Sequence, residues 1–113
     1  MTDNNLDELL ALAMESSVAA GDLLLGGWRG HLEVHTKSTD TDVVTHMDRA
    51  AETLLLDQLL GARPNDGILG EEGAAIEGTS GVRWIVDPLD GTVNYVYGLP
   101  HWAVSVAAQI DGQ

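Results

Sequence analysis

A mixed α and β fold, built as one domain over residues 1–113, is what this sequence predicts. Three observations carry the expectation. Two stretches with apolar residues at helical spacing fill the first half of the chain. Short apolar or alternating runs, bounded by turn residues, fill the second half. Hydrophobic residues make up 44% and charged residues 20% of the chain, which is enough apolar material for one modest core and too much for a disordered segment.

Leu6, Leu9, Leu10, Ala13, Met14, Ala20 and Leu24 fall near helical spacing. Asn5 followed by Glu8 resembles a capping box. The first helix is expected from about Leu6 to Leu25, ended by Gly26-Gly27. Val34 and Thr36 are β-branched, so Glu33 to Lys37 is expected as a short strand. Ser38-Thr39-Asp40-Thr41-Asp42 reads as a polar loop. Thr45, with Asp48 three residues later, is placed to cap a second helix. Met47, Ala50, Ala51, Leu54, Leu55 and Leu59 supply that helix's apolar face. Gly61 and Pro64-Asn65-Asp66-Gly67 stop it and turn the chain.

Ile68-Leu69 is a short strand running into Glu71. The small-residue stretch from Ala74 to Gly81 reads as a surface loop. Trp84-Ile85-Val86 is an apolar run with a turn behind it, the pattern of a buried strand, and it delivers Asp87 at its end. Gly91 to Tyr97 suits a short helix or turn, closed by Gly98 and Pro100. Trp102 to Ile110 alternates imperfectly and reads as another strand. Asp111-Gly112 is a strong hairpin signal. A hairpin needs a return strand, so the chain is expected to be the N-terminal portion of a longer one.

Composition excludes some functions. The formal net charge is −13, from 5 Lys+Arg against 18 Asp+Glu. Such a chain repels nucleic acid and anionic lipid unless its charge is locally reversed. There is no cysteine, which removes disulfides, thiolate nucleophiles and cysteine zinc sites. No basic-then-apolar N-terminal segment resembles a secretory signal, and no apolar run looks sized for a bilayer. A cytoplasmic location is the default that follows.

The chemistry concentrates in Asp87-Pro88-Leu89-Asp90-Gly91-Thr92. Proline lacks an N–H and fixes φ, so it can hold a sharp exit from the strand. Both carboxylates and the Leu89 carbonyl can then face one point. Glu71, at the end of a different expected strand, can join them if the two strand ends are adjacent. Hard cations such as Mg²⁺ take oxygen ligands of this kind. Gly91 permits close backbone approach, and a helical turn starting there would point N–H groups at a phosphate. Taken alone, the same six residues also suit an Asp-rich turn that caps the next helix. An EF-hand is excluded by its spacing. His31 and His35 straddle an expected strand and carry little weight as a zinc pair. His46 and His101 read as solvated or hydrogen-bonded. There is no Gly-x-Ser-x-Gly elbow and no P-loop.

Trp84-Ile85-Val86-Asp87-Pro88-Leu89-Asp90-Gly91-Thr92-Val93-Asn94-Tyr95 resembles the signature of the inositol monophosphatase family. Gly70-Glu71-Glu72 looks like that family's acidic pair. Lys37, Asp42, Thr45 and Asp48 fall where its Lys…Asp-x-x-Thr-x-x-Asp pattern would place them. Three motifs in order, from about Lys37 to Ser105, make the resemblance specific. It implies an α+β fold of layered α/β/α type, with helices packed on a mostly antiparallel sheet. It also implies two or three Mg²⁺ ions. Glu71, Asp87 and the Leu89 carbonyl would hold the first, Asp87 and Asp90 the second, and Glu71 would touch a weaker third through water. The N–H groups of Gly91 and Thr92 would hold the substrate phosphate, with Glu71, Leu89 and Asp90 also lining the substrate. Thr92 and Asp48 resemble the pair that positions the attacking water, helped by Glu71. Lys37 would sit near the phosphate.

The implied reaction is direct in-line hydrolysis of a phosphate monoester, with paired metals about 4 Å apart and sensitivity to lithium. The substrate class is a small phosphorylated molecule, first of all inositol monophosphate. Histidinol phosphate, fructose bisphosphate and phosphoadenosine phosphate are the competitors. Family members usually carry Phe where Tyr95 stands. Their chains are more than twice as long, and their second half supplies another Asp ligand and most contacts to the alcohol. The isolated 113 residues are therefore expected to be inactive or feeble. Family members are commonly homodimers, although nothing in these residues shows it. The alternative from another class is a non-catalytic metal-binding or interaction module.

Overall fold

The computed structural model describes the backbone of residues 5–34, 40–71, 74–91, 94–95 and 102–113; the side chains of 29–34 and 40–45 lie outside that description. Two long helices precede a sheet. Helix α1 spans Leu6–Val34 and α2 spans Asp40–Ala62. Strands follow at Gly67–Gly70 (β1), Ala75–Ile76 (β2), Val82–Asp90 (β3) and Ala103–Ile110 (β4). Their spatial order is β2-β1-β3-β4. β1 pairs antiparallel with β2 and parallel with β3, and β3 pairs antiparallel with β4. The layered α+β expectation holds, with a mixed sheet that is antiparallel at two of its three pairings.

Helix α1 starts as expected. The Asn5 side-chain oxygen accepts hydrogen bonds from the N–H groups of Asp7 (2.9 Å) and Glu8 (3.3 Å), which satisfies two orphan donors of the first turn. The end differs. The helix runs through Gly26-Gly27 to Val34, so Glu33 and Val34 are helical rather than the start of a strand. Residues 35–37 of that expected strand lie outside the described residues. Glycine stops a helix by taking a left-handed conformation, and neither Gly26 nor Gly27 has positive φ. Gly27 serves close approach instead. A Cβ there would collide with the Met47 side chain of α2 and lie 3.0 Å from the Tyr95 hydroxyl.

The buried stripe of α1 includes Leu9, Ser16, Ala20 and Leu24. Leu6, Leu10 and Met14, which also fit helical spacing, are 69%, 59% and 60% exposed. They lie on a second apolar face that nothing in the described chain covers. That apolar surplus makes Leu6–Trp28 long and apolar enough to cross a membrane by length and composition, with a mean hydropathy of 1.5, contrary to the sequence expectation. The segment also carries Asp7, Glu8, Glu15 and Asp22, which are costly inside a bilayer. Core helices of globular proteins pass the same test.

Helix α2 begins at Asp40, inside the expected polar loop, so Thr45 and Asp48 are interior to it and do not form its cap. Ser38 and Thr39 lie outside the described residues. The C-terminal end matches expectation, since the helix stops at Ala62 before the Pro64-Asn65 turn. Ala51, Leu55 and Leu59 are fully buried.

Two clusters make up the core. Leu9, Ala20, Leu55, Leu59, Ile68, Val82, Trp84 and Val86 form the larger one. Leu24, Ala51, Leu89 and Tyr95 form the second, flanked by Trp28, Met47 and Trp102. At the first cluster's end a buried carboxylate ties the sheet to the α2–β1 turn. Asp66 accepts hydrogen bonds from Trp84 Nε1 (2.8 Å), Arg63 Nε (2.6 Å) and Ser80 Oγ (2.6 Å). Its charge is thus paired and hydrogen-bonded, as a buried carboxylate requires. The expected loop from Ala74 to Gly81 contains the two-residue strand β2, which the β1 edge recruits.

The packing at Gly27 distinguishes two neighbouring glycines. Gly26 has nothing within 4 Å of where a Cβ would sit. Gly26→Ala should raise stability by about 0.5–1 kcal/mol through helix propensity. Gly27→Ala should gain less than Gly26→Ala, because the end of the Met47 side chain and the Tyr95 hydroxyl must shift to admit a Cβ. Urea unfolding compares the two directly, and equal midpoints would sink the packing argument.

Candidate metal and phosphate site

Two features of the sheet place the acidic residues. The first is the parallel β1–β3 pair, whose register sets Gly70 beside Val86. Parallel strands end on the same side of a sheet, so Glu71 emerges next to Asp87. The Glu71 N–H donates to the Val86 carbonyl at 3.1 Å, which fixes the junction. The expected adjacency of these strand ends is observed in the backbone.

The second feature is a register shift in β3. Asp87 pairs with Ser105 and Asp90 with Ala103. Three steps along β3 therefore match two along β4, which is one extra residue and a β-bulge. Residues three apart on a regular strand point to opposite faces. The extra residue reverses that parity and puts Asp87 and Asp90 on one face, opposite Ser105 and Ala103. Asp87 was expected at the strand's end; it lies inside β3, which continues to Asp90. Pro88 explains the bulge, because it has no N–H for the ladder. Pro88 and Leu89 are both buried, and the Asp87 carboxylate accepts from the Leu89 N–H at 3.3 Å.

Gly91 follows with φ of 88°, a left-handed conformation that strains residues with a Cβ. Its carbonyl accepts from the Tyr95 N–H at 3.0 Å, and Asn94 and Tyr95 are helical. The expected helical turn after Asp90 is therefore observed at these residues. Thr92, Lys37 and Glu72 lie outside the described residues, as do His35, His101, Tyr97, Gly98 and Pro100. So do the side chains of His31, Asp42 and Thr45.

Helix α2 contributes from above. Asp48 is 8% exposed and lies near the Tyr95 hydroxyl. Burial first, and the Asp48 charge second, push the Tyr95 hydroxyl up to about 12. One turn along α2, about 6 Å, Glu52 reaches the β1 end. Its Oε2 sits 2.7 Å from where a Cβ on Gly70 would lie. Sequence reasoning missed Glu52. The available signal was its i+4 spacing from Asp48, beside Ala51 and Leu55 on the buried face.

The backbones of Glu71, Asp87, Leu89 and Asp90 are thus gathered at one end of the sheet. Their side chains do not converge to the same degree: among the described residues, no three His, Asp or Glu groups could share one metal ion. Glu71 and Asp90 are exposed, Asp87 half-buried and Leu89 buried. The donor chemistry still fits a hard divalent cation, since every candidate ligand is a carboxylate or carbonyl oxygen.

Two tests follow from this geometry. Gly70→Ala should destabilise by displacing the Glu52 carboxylate from the β1 end, and Glu52→Ala should relieve most of that cost. Additive effects in a double-mutant cycle would show that Glu52 does not fill the Gly70 space. Tyr95 ionises near pH 10 when unfolded and only at about 12 when folded. Its raised value leaves stability intact below pH 10 and removes it as pH rises from 10 to 12. Absorbance of tyrosinate against pH, followed with unfolding, should show that coupled loss; a fold stable throughout that range would contradict it.

Comparison with known proteins agrees with this construction. The model of the inositol monophosphatase family matches residues 5–113. Inositol-1-monophosphatase of Mycobacterium leprae is 54% identical over 91 residues, which cover 76% of this chain and 31% of that protein. Nus factor SuhB of Pasteurella multocida is 37% identical over 111 residues, covering 96% of this chain and 41% of its own length. The solved structure of Mycobacterium tuberculosis SuhB superposes with a TM-score of 0.78 at 39% identity, covering 97% of this chain and 38% of that one. The chain spans about a third to two-fifths of the length of these relatives. With its motifs, fold and sequence in agreement, the chain belongs to the inositol monophosphatase family.

Proposed function

We propose that these residues form the metal- and phosphate-binding portion of a Mg²⁺-dependent phosphate monoester hydrolase, with inositol monophosphate as substrate. The observation that supports it most is the bulge at Pro88-Leu89. It sets Asp87 and Asp90 on one face, beside the Glu71 junction. In this reading Glu71, Asp87, the Leu89 carbonyl and Asp90 hold two or three Mg²⁺ ions. Glu71 and Asp90 are exposed, so they turn about their own side-chain torsions to do so. The bound ions supply charge neutralisation and water activation.

The chain's own groups do the rest. The Gly91 and Thr92 N–H groups hold the phosphate. Asp48 and the Thr92 hydroxyl orient the attacking water, with Glu71 assisting. Lys37 stands near the phosphate. Fixed donors aimed at developing charge are the main contribution of such a site. The M. leprae relative is named an inositol-1-monophosphatase, which favours that alcohol over histidinol, fructose or adenosine derivatives. Lithium inhibition, a cytoplasmic location and a homodimer belong to the same proposal.

A second reading has one observation in its favour: several relatives carry the name Nus factor SuhB. In that reading the chain is an interaction module rather than a catalyst. Phosphate release from inositol monophosphate with Mg²⁺ separates the two, measured on this chain and on its longest reading frame. Release by either form supports the hydrolase, and release by neither supports the module. Asp87→Asn should cost at least about two orders of magnitude in turnover, and near-normal turnover in that variant would defeat the site assignment.

A further inference from the structure

Tyr95 joins three parts of the molecule around the turn that begins at Gly91. Among the described residues of that turn it alone is fully buried. Its N–H donates to the Gly91 carbonyl at 3.0 Å. Its ring meets Trp102, just before β4, edge-on at 5.2 Å and 75°. Its hydroxyl donates to the Leu24 carbonyl of α1 at 2.8 Å and lies over Gly27, where the lack of a Cβ leaves room. Asp48 of α2 acts on the same hydroxyl through its charge.

The Leu24 bond is informative because α1 does not need it. Leu24 is well inside Leu6–Val34, where a carbonyl already has its helical N–H donor four residues on. A carbonyl has a second lone pair to offer. The added bond therefore satisfies the tyrosine, and through it holds the turn. Phenylalanine would keep the ring volume and the Trp102 contact but could not reach the α1 main chain.

We propose that Tyr95 is a positioning residue for the phosphate-binding turn. By its bond to Leu24 it fixes the Gly91 turn against α1 at a set distance from Asp48. Gly91, whose N–H the proposed function assigns to the phosphate, is thereby held in place relative to Asp48. The inference rests on the hydrolase reading for what the turn binds, and on geometry alone for what holds it.

Tyr95→Phe tests it on the full chain, because it removes one oxygen and keeps the packing. Amide hydrogen exchange is read at position 95, at Trp84 in β3 and at Val106 in β4. Exchange at position 95 should quicken about fivefold to tenfold, the size of one net hydrogen bond, with Trp84 and Val106 unchanged. Inorganic phosphate affinity in the presence of Mn²⁺ should fall by a similar factor, while Mn²⁺ affinity stays at the wild-type value. Unchanged exchange at position 95 overturns the proposal, and so does equal loosening at all three amides, which marks a general structural role. Unchanged phosphate affinity with a loosened turn overturns it as well. The hydrolase reading fails separately, if Asp87→Asn leaves Mn²⁺ binding intact, and the exchange data then still decide whether Tyr95 holds the turn.

Discussion

The bulge at Pro88-Leu89 is the constraint on which the rest of this molecule depends. A regular strand would turn Asp87 and Asp90 to opposite faces of the sheet. One extra residue, placed where proline offers no ladder donor, brings them to the same face. It also breaks the burial alternation of β3, so that Pro88 and Leu89 both enter the core. Leu89 then belongs to the second hydrophobic cluster with Leu24, Ala51 and Tyr95. The same device thus turns two carboxylates outward and anchors the peptide between them. A bulge held in this way has little freedom to slip, because slipping would expose Leu89 and bury an aspartate.

The parallel β1–β3 pair is the second constraint. It is the sheet's one parallel pairing among the described strands, and it makes Glu71 a neighbour of Asp87. Helix α2 enters the same region from the other layer. It leads into β1 through a tight turn at Pro64-Asn65, so its earlier residues lie over the far end of that strand. Asp48 and Glu52 therefore arrive where Glu71 and Asp87 emerge. Five acidic residues, Asp48, Glu52, Glu71, Asp87 and Asp90, therefore share this end of the fold.

Much of the fold was legible in sequence because its signals are local. Asn5 capped the first helix, Pro64-Asn65 ended the second, and the β4 run formed with its Asp111-Gly112 turn, where both residues take positive φ. The failures share a cause. Gly26-Gly27 resembled a helix stop, yet Gly27 is small because Met47 and Tyr95 occupy the space beside it. Thr45 and Asp48 had the spacing of a cap, yet α2 starts earlier at Asp40 and uses Asp48 inside the fold. Leu6, Leu10 and Met14 fitted the helical period, yet α1 buries its other face. In each case a residue type was read as local punctuation or as core, and a distant contact decided otherwise.

The sequence by itself determined the chemistry on offer: oxygen donors at 71, 87 and 90, a proline that cannot join a ladder, and a glycine able to take the left-handed turn at 91. These are properties of single residues and their immediate neighbours. Only the tertiary structure decided which of them share a face and an end. It set the parity change between Asp87 and Asp90, the parallel register beside Glu71, the Glu52 contact at Gly70, and the bond from Tyr95 to Leu24. Those depend on pairings between residues far apart in the chain, and no local propensity encodes them.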